Sequence, residues 1–195
     1  MRKTPNIIIT GTPGVGKTTH CEQLAANTGL NHLDINKVVK ERGCDDGYDE
    51  ELKSVIVDED KVSQTRDLQQ LKTDSDMNMQ LLDAVEPDLE AGGQIVDWHA
   101  CDLFPASLID LVVVIRCDST ILYDRLQARG YSAKKLEENM DAEIMEVLLQ
   151  EARDSYDEEI VVELRSDDAD QIEENVERIE AWIKNWKKDH ETEDS

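Results

Sequence analysis

Apolar residues are concentrated in five short runs, and the segments between them carry apolar residues at helical spacing. The runs are Ile7–Thr10, His32–Ile35, Gln94–Trp98, Leu111–Ile115 and Ile160–Leu164. Short apolar runs rich in β-branched residues are typical of strands that a parallel sheet buries on both faces. Because strands alternate with helices, the pattern predicts an α/β domain with helices on both faces of a parallel sheet.

Helices are predicted where apolar residues recur every three or four positions and where a glycine or a capping residue marks an end. They cover Lys17–Asn27, a short segment from Val38 to near Gly43, Leu81–Ala91, Ser119–Arg129, Lys135–Tyr156 and Ala169–Lys188. Residues 44–60 are acidic and turn-rich, and residues 62–80 show no convincing helical periodicity. The sequence therefore predicts one domain over residues 1–188 and a polar, frayed tail at 189–195.

The chain is strongly acidic, since its 195 residues carry a formal net charge of −24. Such a surface repels a phosphate backbone, so direct binding of RNA or DNA is not expected. It would attract a basic protein, although the alternative is that the charge serves only solubility.

The cysteines and the lack of long apolar segments indicate where in the cell the protein is located. Cys21, Cys44, Cys101 and Cys117 form no Cys-x-x-Cys pair and no zinc-type spacing with histidine, which favours reduced thiols. The first six residues lack the features of a signal peptide, and no apolar run is long enough to span a membrane. We therefore expect an intracellular protein with no membrane partner.

A phosphate-binding loop is the strongest chemical signal. Residues 11–18 read Gly-x-x-x-x-Gly-Lys-Thr, directly after the first predicted strand and at the start of a helix. Glycines let the backbone wrap the phosphates, and the helix N-terminus adds partial positive charge. The lysine would bridge the β- and γ-phosphates of ATP, and the threonine hydroxyl would bind Mg²⁺. The predicted nucleotide-binding residues are Gly14, Gly16, Lys17, Thr18 and Thr19.

Asp97 is predicted as the second metal residue, because it ends a buried strand where α/β sheets place their ligands. Its carboxylate would hold Mg²⁺ through water. His99, two residues further on, would orient the attacking group or water. The alternative is a structural histidine that hydrogen-bonds a backbone carbonyl.

Arg125 and Arg129 lie one helical turn apart, so their guanidinium groups share a face. They precede Gly130 and Tyr131, which predict the hinge of a short lid. Arginine suits the charge that spreads over a transferring phosphoryl group. The alternative is a pair of surface salt bridges, and Lys134 and Lys135 in the same lid are weaker candidates.

Several segments together resemble the adenylate kinase isoenzyme 6 family, small atypical nucleotide kinases that also act in ribosome assembly. The resemblance spans nearly the whole chain outside residues 62–80. The matching segments are residues 5–17 around the P-loop, Gly47–Glu50, Val57–Asp60, Ile95–His99, Arg125–Tyr131, Lys135–Asn139 and Ala142–Ile144.

The resemblance implies a P-loop NTPase with a core of five parallel strands, a monophosphate-binding segment near residues 34–57 and a lid near 128–138. It implies transfer of the ATP γ-phosphoryl group to AMP or another nucleoside monophosphate, and an ATPase activity. It makes Asp97 and His99 a catalytic Walker B variant and Arg129 a lid contact to ATP. It further implies late maturation of the pre-ribosomal small subunit in nucleus and cytoplasm, through a basic small-subunit ribosomal protein.

The chain departs from the family pattern in three places. Lys37 stands where adenylate kinases carry an acidic residue, while Lys40 keeps the basic one. The lid lacks the second set of arginines, which predicts slow kinase turnover. Residues 62–80 are an extra segment, and we hypothesise a translated intron, because Val-Ser and Gln at its ends can be encoded by GTGAGT and CAG. The alternative is a genuine loop, and sequencing of spliced message across Lys61–Leu81 distinguishes the two.

Overall fold

The computed structural model describes residues 2–42, 48–49, 54–55 and 68–193. Five parallel strands form the central sheet, as predicted, and the structure orders them β2-β5-β1-β6-β7. A short antiparallel pair, β3 with β4, lies apart from it. The strands are β1 (Ile7–Thr10), β2 (Asn31–Asp34), β3 (Tyr48–Asp49), β4 (Ser54–Val55), β5 (Gln94–Asp97), β6 (Leu111–Arg116) and β7 (Val161–Arg165).

Helices connect the strands of the central sheet and cover both of its faces. They are α1 (Lys17–Thr28), α2 (Ile35–Arg42), α3 (Leu68–Ala91), α4 (Ser119–Ala128), α5 (Ala133–Ile144), α6 (Val147–Ser155) and α7 (Ala169–Glu193). One apolar core lies against α2, α3 and α6, and the other lies against α1, α4 and α7. Alternation along β1 serves both cores, because Ile8 points into the first while Ile7 and Ile9 point into the second.

The single helix predicted over Lys135–Tyr156 is wrong, since the structure has two helices there. Glu146 has a left-handed backbone with φ of 57° and separates α5 from α6. Arg116 stabilises this break, because it donates hydrogen bonds to the carbonyl oxygen of Glu143 at 2.9 Å and to the carboxylate of Glu146 at 2.6 Å. A helix break without glycine or proline leaves no local sign in the sequence.

Three other element boundaries differ from the prediction. Helix α3 begins at Leu68, so most of the segment predicted without periodicity is helical. Helix α7 continues to Glu193, beyond the predicted end at Lys188. Ile35 begins α2 instead of ending β2.

Parts of two predicted segments lie outside the described residues. They are residues 43–47, 50–53 and 56–57 of the monophosphate-binding segment and residues 62–67 of the extra segment. Within the described ranges, no helix is both long and apolar enough to cross a membrane.

Candidate active site

The loop between β1 and α1 has the shape of a phosphate cradle. Gly11 and Gly16 have φ values of 142° and 103°, a region that side chains disfavour. A Cβ at Gly11 would collide with the carbonyl oxygen of Ile115 on β6. The loop leads into the N-terminus of α1, where unpaired backbone N–H groups favour bound phosphate.

Lys17 lies across the mouth of this loop. Its Nζ donates hydrogen bonds to the carbonyl oxygens of Gly11 at 2.6 Å and Thr12 at 3.2 Å. The pKa of Lys17 is lowered to about 8, chiefly by burial and to a smaller extent by the nearby charge of Arg129, while the charge of Asp97 opposes the shift. The negative charge of a bound triphosphate would favour the protonated, positively charged form of Lys17.

Asp97 ends β5 beside the P-loop and is 3% exposed. It lies in register with Ile9 of β1 and Asp34 of β2, so three carboxyl ends of strands meet at this point. The Thr18 hydroxyl donates a hydrogen bond to Asp97 Oδ2 at 2.7 Å. The structure therefore brings together both residues that the sequence assigned to the metal.

The donor set of Thr18 and Asp97 fits Mg²⁺. A hydroxyl oxygen and a carboxylate are the hard oxygen ligands that Mg²⁺ prefers, with water completing its shell. Thr18 is exposed at the helix start, whereas Asp97 is buried behind it. This arrangement suits a metal held directly by the hydroxyl and through water by the carboxylate.

His32 contacts the same carboxylate and was missed by sequence reasoning. Its Nε2 lies 3.3 Å from Asp97 Oδ2. The hydrogen bond to Asp97 raises the pKa of His32, although partial burial acts in the opposite direction. The strand pattern of β2 is weak in the sequence, and it gave no sign that the His32 side chain would reach β5.

His99 follows β5 and is half-buried. Its carbonyl oxygen accepts a hydrogen bond from the Thr10 hydroxyl at 2.8 Å, which joins the ends of β1 and β5. The Trp98 and His99 rings have centroids 4.2 Å apart and are tilted by 46°. The backbone of His99 is thus fixed next to the P-loop strand.

Arg125 in α4 and Arg129 directly after it have different surroundings. Arg125 donates hydrogen bonds to the carbonyl oxygens of Ser166 at 3.1 Å and Asp167 at 3.0 Å, with a longer contact of 3.4 Å to Gly14. It therefore joins α4 to the P-loop and to the segment before α7. Arg129 is exposed at the end of α4, close enough to affect the pKa of Lys17.

The lysines of the predicted lid also differ. Lys134 is exposed and forms a salt bridge with Glu138 at 3.5 Å. Lys135 is buried, and its Nζ lies 4.8 Å from the centroid of the Tyr131 ring. Thr19 is exposed at the start of α1.

A buried carboxylate on α5 holds the P-loop from outside. Glu143 is 4% exposed, and its Oε2 accepts a hydrogen bond from the Thr12 hydroxyl at 2.6 Å. Its Oε1 accepts from Arg116 Nε at 3.2 Å and from the Cys117 N–H at 3.3 Å. Glu143 therefore couples the P-loop to β6 and to α5.

His20 supports the loop from the other side. Its Nδ1 lies 2.9 Å from the carbonyl oxygen of Gly16, and the Asn175 amide lies 3.3 Å from its Nε2. A neutral ring that donates from Nδ1 and accepts at Nε2 satisfies both contacts. Burial lowers the pKa of His20, which agrees with a neutral imidazole.

Comparison with known proteins places the chain in a family. The family model described as an AAA domain matches residues 7–146. Adenylate kinase isoenzyme 6 homolog HBR1 of Candida albicans is 50% identical over 192 residues, which cover 93% of this chain and 70% of that protein. The Schizosaccharomyces pombe homolog is 49% identical, with 97% of each chain covered. The chain belongs to the adenylate kinase isoenzyme 6 family. It is thus a nucleotide kinase-like P-loop protein, as its sequence predicted.

Solved structures agree on the fold. Shikimate kinase from Acinetobacter baumannii has a TM-score of 0.58 at 14% identity, covering 93% of this chain and 94% of that one. A gluconokinase from Sinorhizobium meliloti has a TM-score of 0.56 at 14% identity, covering 95% of this chain and 97% of that one. At such low identity the likeness concerns the P-loop kinase fold alone.

Proposed function

We propose that this protein transfers the γ-phosphoryl group of ATP to AMP and also hydrolyses ATP. The hydrogen bond between Thr18 and Asp97 is the observation that carries the proposal. It brings the two residues expected to bind Mg²⁺ next to Lys17 and the P-loop, which would bind the phosphates. The relatives named as adenylate kinase homologs support AMP as the acceptor.

Each residue has a task in the proposed reaction. The N–H groups of the P-loop and Lys17 bind the β- and γ-phosphates, and Arg129 balances charge that develops on the transferring group. Mg²⁺ held by Thr18 and, through water, by Asp97 would neutralise charge on the phosphate oxygens. His99 orients the attacking phosphate or water beside Asp97.

A coupled assay with ATP and each nucleoside monophosphate in turn tests the transfer. We expect ADP to form from both ATP and AMP, and Lys17→Ala to abolish both transfer and hydrolysis. Lys184→Ala is the matched control, because this lysine pairs with Glu180 on the surface of α7. ADP formation that is unaffected by AMP would reject the kinase proposal.

The role of His99 needs a separate measurement. His99→Gly should reduce ATP hydrolysis far more than ATP affinity, since the side chain acts on the attacking group and not on the bound triphosphate. Unchanged hydrolysis in this variant would reject the catalytic role.

We further propose that the protein acts in late maturation of the small ribosomal subunit, at the cleavage that forms 18S rRNA, in nucleus and cytoplasm. It would bind a basic platform protein transiently and release it on ATP hydrolysis. The net charge of −24 supports such a partner, because opposite charges speed and strengthen the encounter. The alternative is an ATP-switched assembly factor with little kinase activity.

Binding of purified platform protein, with and without ATP, tests this second proposal. A histone of similar charge is the control for general electrostatic attraction. We expect binding of the platform protein to survive a salt concentration that removes the histone, and to be lost on hydrolysis. Equal salt sensitivity for both proteins would reject a specific partner. Hydrolysis that responds to the platform protein and not to AMP would favour the switch over the kinase.

A further inference from the structure

A second cluster of metal-binding side chains lies behind the P-loop. Cys21 Sγ, His32 Nε2 and a carboxylate oxygen of Asp97 all lie within 4.8 Å of one another. They come from α1, β2 and β5. Cys21 follows Lys17 by one helical turn, so the thiol faces the same strand ends as the lysine. Among the described residues, this is where a thiol, an imidazole and a carboxylate converge.

We propose that Cys21, His32 and Asp97 bind a thiophilic transition-metal ion such as Zn²⁺, at a site that overlaps the Mg²⁺·ATP site. A thiolate, an imidazole and a carboxylate are ligands that zinc uses in proteins, and three of them leave a fourth position open. Mg²⁺ does not share this preference, because it binds oxygen ligands.

The distances fit a tetrahedral zinc ion. With Zn–N and Zn–O bonds of about 2.0–2.1 Å and a Zn–S bond of about 2.3 Å, ligand atoms stand about 3.3–3.6 Å apart. His32 Nε2 and Asp97 Oδ2 are already 3.3 Å apart. The Sγ atom lies within 4.8 Å of both, so an inward movement of about 1 Å completes the set. The Thr18 hydroxyl or water would occupy the open position.

The charges also fit. On binding, the Cys21 thiol loses its proton to solvent and forms a Zn–S bond, while His32 binds through its neutral ring. The thiolate and the Asp97 carboxylate then balance the two charges of the ion, which makes the buried complex neutral. The carboxylates of Asp34 and Glu22 add a negative potential at His32. Lys17 opposes this, because its positive charge acts on both Asp97 and Cys21.

Overlap with the nucleotide site has a functional consequence. Asp97 Oδ2 accepts the Thr18 hydrogen bond and faces His32, so a metal bound to His32 and Cys21 withdraws this oxygen from the Mg²⁺ site. Zinc and Mg²⁺·ATP would exclude one another. The inhibition rests on the proposed phosphoryl transfer, whereas metal binding does not.

Cobalt titration without nucleotide tests the site directly, because a Co²⁺–thiolate bond gives a charge-transfer band. The experiment uses the full chain with Cys44→Ser, since Cys44 lies outside the described residues. We expect the band in this parent and in Cys117→Ala, a matched control with another buried thiol. Cys21→Ala should lose the band, and His32→Gln should weaken cobalt and zinc binding at least about tenfold, since even outer-shell changes lower metal affinity 10- to 100-fold.

Inhibition of ATP turnover by zinc is the second readout. The zinc concentration for half inhibition should rise at least about tenfold in Cys21→Ala and His32→Gln and stay unchanged in Cys117→Ala. If Cys21→Ala does not fold, His32→Gln answers the question alone, because the side chain of His32 is only partly buried. An equal cobalt band and equal zinc inhibition in parent and variants would overturn the proposal. If the parent protein shows no ATP turnover but does show the Cys21-dependent cobalt band, the proposed function is rejected and the proposed metal site is supported.

Discussion

Glu143 is the side chain whose change tests most directly how the P-loop is held. Glu143→Gln keeps its size but removes the charge that faces Arg116 and the Thr12 hydroxyl. Hydrogen bonds to charged groups contribute about 1.5–3 kcal/mol each. Arg116 keeps its contacts to Glu146 and Glu163, which offsets part of the loss. We therefore expect Glu143→Gln to lower the free energy of unfolding by about 2–3 kcal/mol.

Thermal and urea unfolding measure this change. For a chain of this length, Tm falls by about 2–4 °C for each kcal/mol, so Glu143→Gln should lower it by about 4–12 °C. Glu146→Gln is the matched control, because Glu146 contacts the same arginine but its side chain is 53% exposed. An exposed ion pair contributes about 0–1 kcal/mol, so the control should lower Tm little.

A double-mutant cycle with Thr12→Val isolates the contact to the P-loop. Thr12 is 2% exposed, and its bond to Glu143 should give a coupling energy of about 1 kcal/mol or more. Loosening the loop should weaken ATP binding by a similar free energy, which is about fivefold in Kd. The reasoning is refuted if the two changes add within about 0.5 kcal/mol, or if Glu143→Gln is no more destabilising than Glu146→Gln.

Three further predictions follow from the same surroundings. Burial lowers the pKa of His20, so below about pH 6.5 the unfolded chain binds a proton at this residue more readily than the folded protein does, and the folded protein becomes less stable as the pH falls. His20→Asn should therefore flatten the decline in urea midpoint between pH 7.5 and 5.5. Equal slopes in the two proteins would contradict this. Since Lys17 has a pKa of about 8, ATP binding should take up about half a proton at pH 8 and about a tenth at pH 7, measured by calorimetry in buffers of different ionisation enthalpy; no uptake at pH 8 would contradict it. Arg125→Lys should destabilise the fold by about 1–2 kcal/mol, because an ammonium group does not span both carbonyl oxygens, and an unchanged Tm would contradict the contact.

The order of strands and helices was readable from the sequence because it depends on local patterns. The apolar runs predicted five strands, and all five pair in the central sheet. The P-loop is contiguous in sequence, so its glycines, Lys17 and Thr18 carried a signal that needs no tertiary contact. The position of Asp97 at the carboxyl edge of the sheet was also readable, because this residue ends a buried strand.

Helix ends were less readable, because they depend on partners elsewhere in the chain. The break at Glu146 carries no glycine or proline, and Arg116 of β6 stabilises it. The extra turns at the start of α3 lack an apolar stripe, which left residues 68–80 without helical periodicity in the sequence.

The sequence by itself determined the fold class, the phosphate-binding loop and the family. Tertiary structure decided which side chains support and surround that loop. Thr12 and Glu143 lie 131 positions apart and meet only when α5 lies against the P-loop, and His32 and Asp97 meet through the pairing of β2 with β5. Local patterns report secondary structure, whereas contacts between distant residues depend on register and packing, which one sequence does not display.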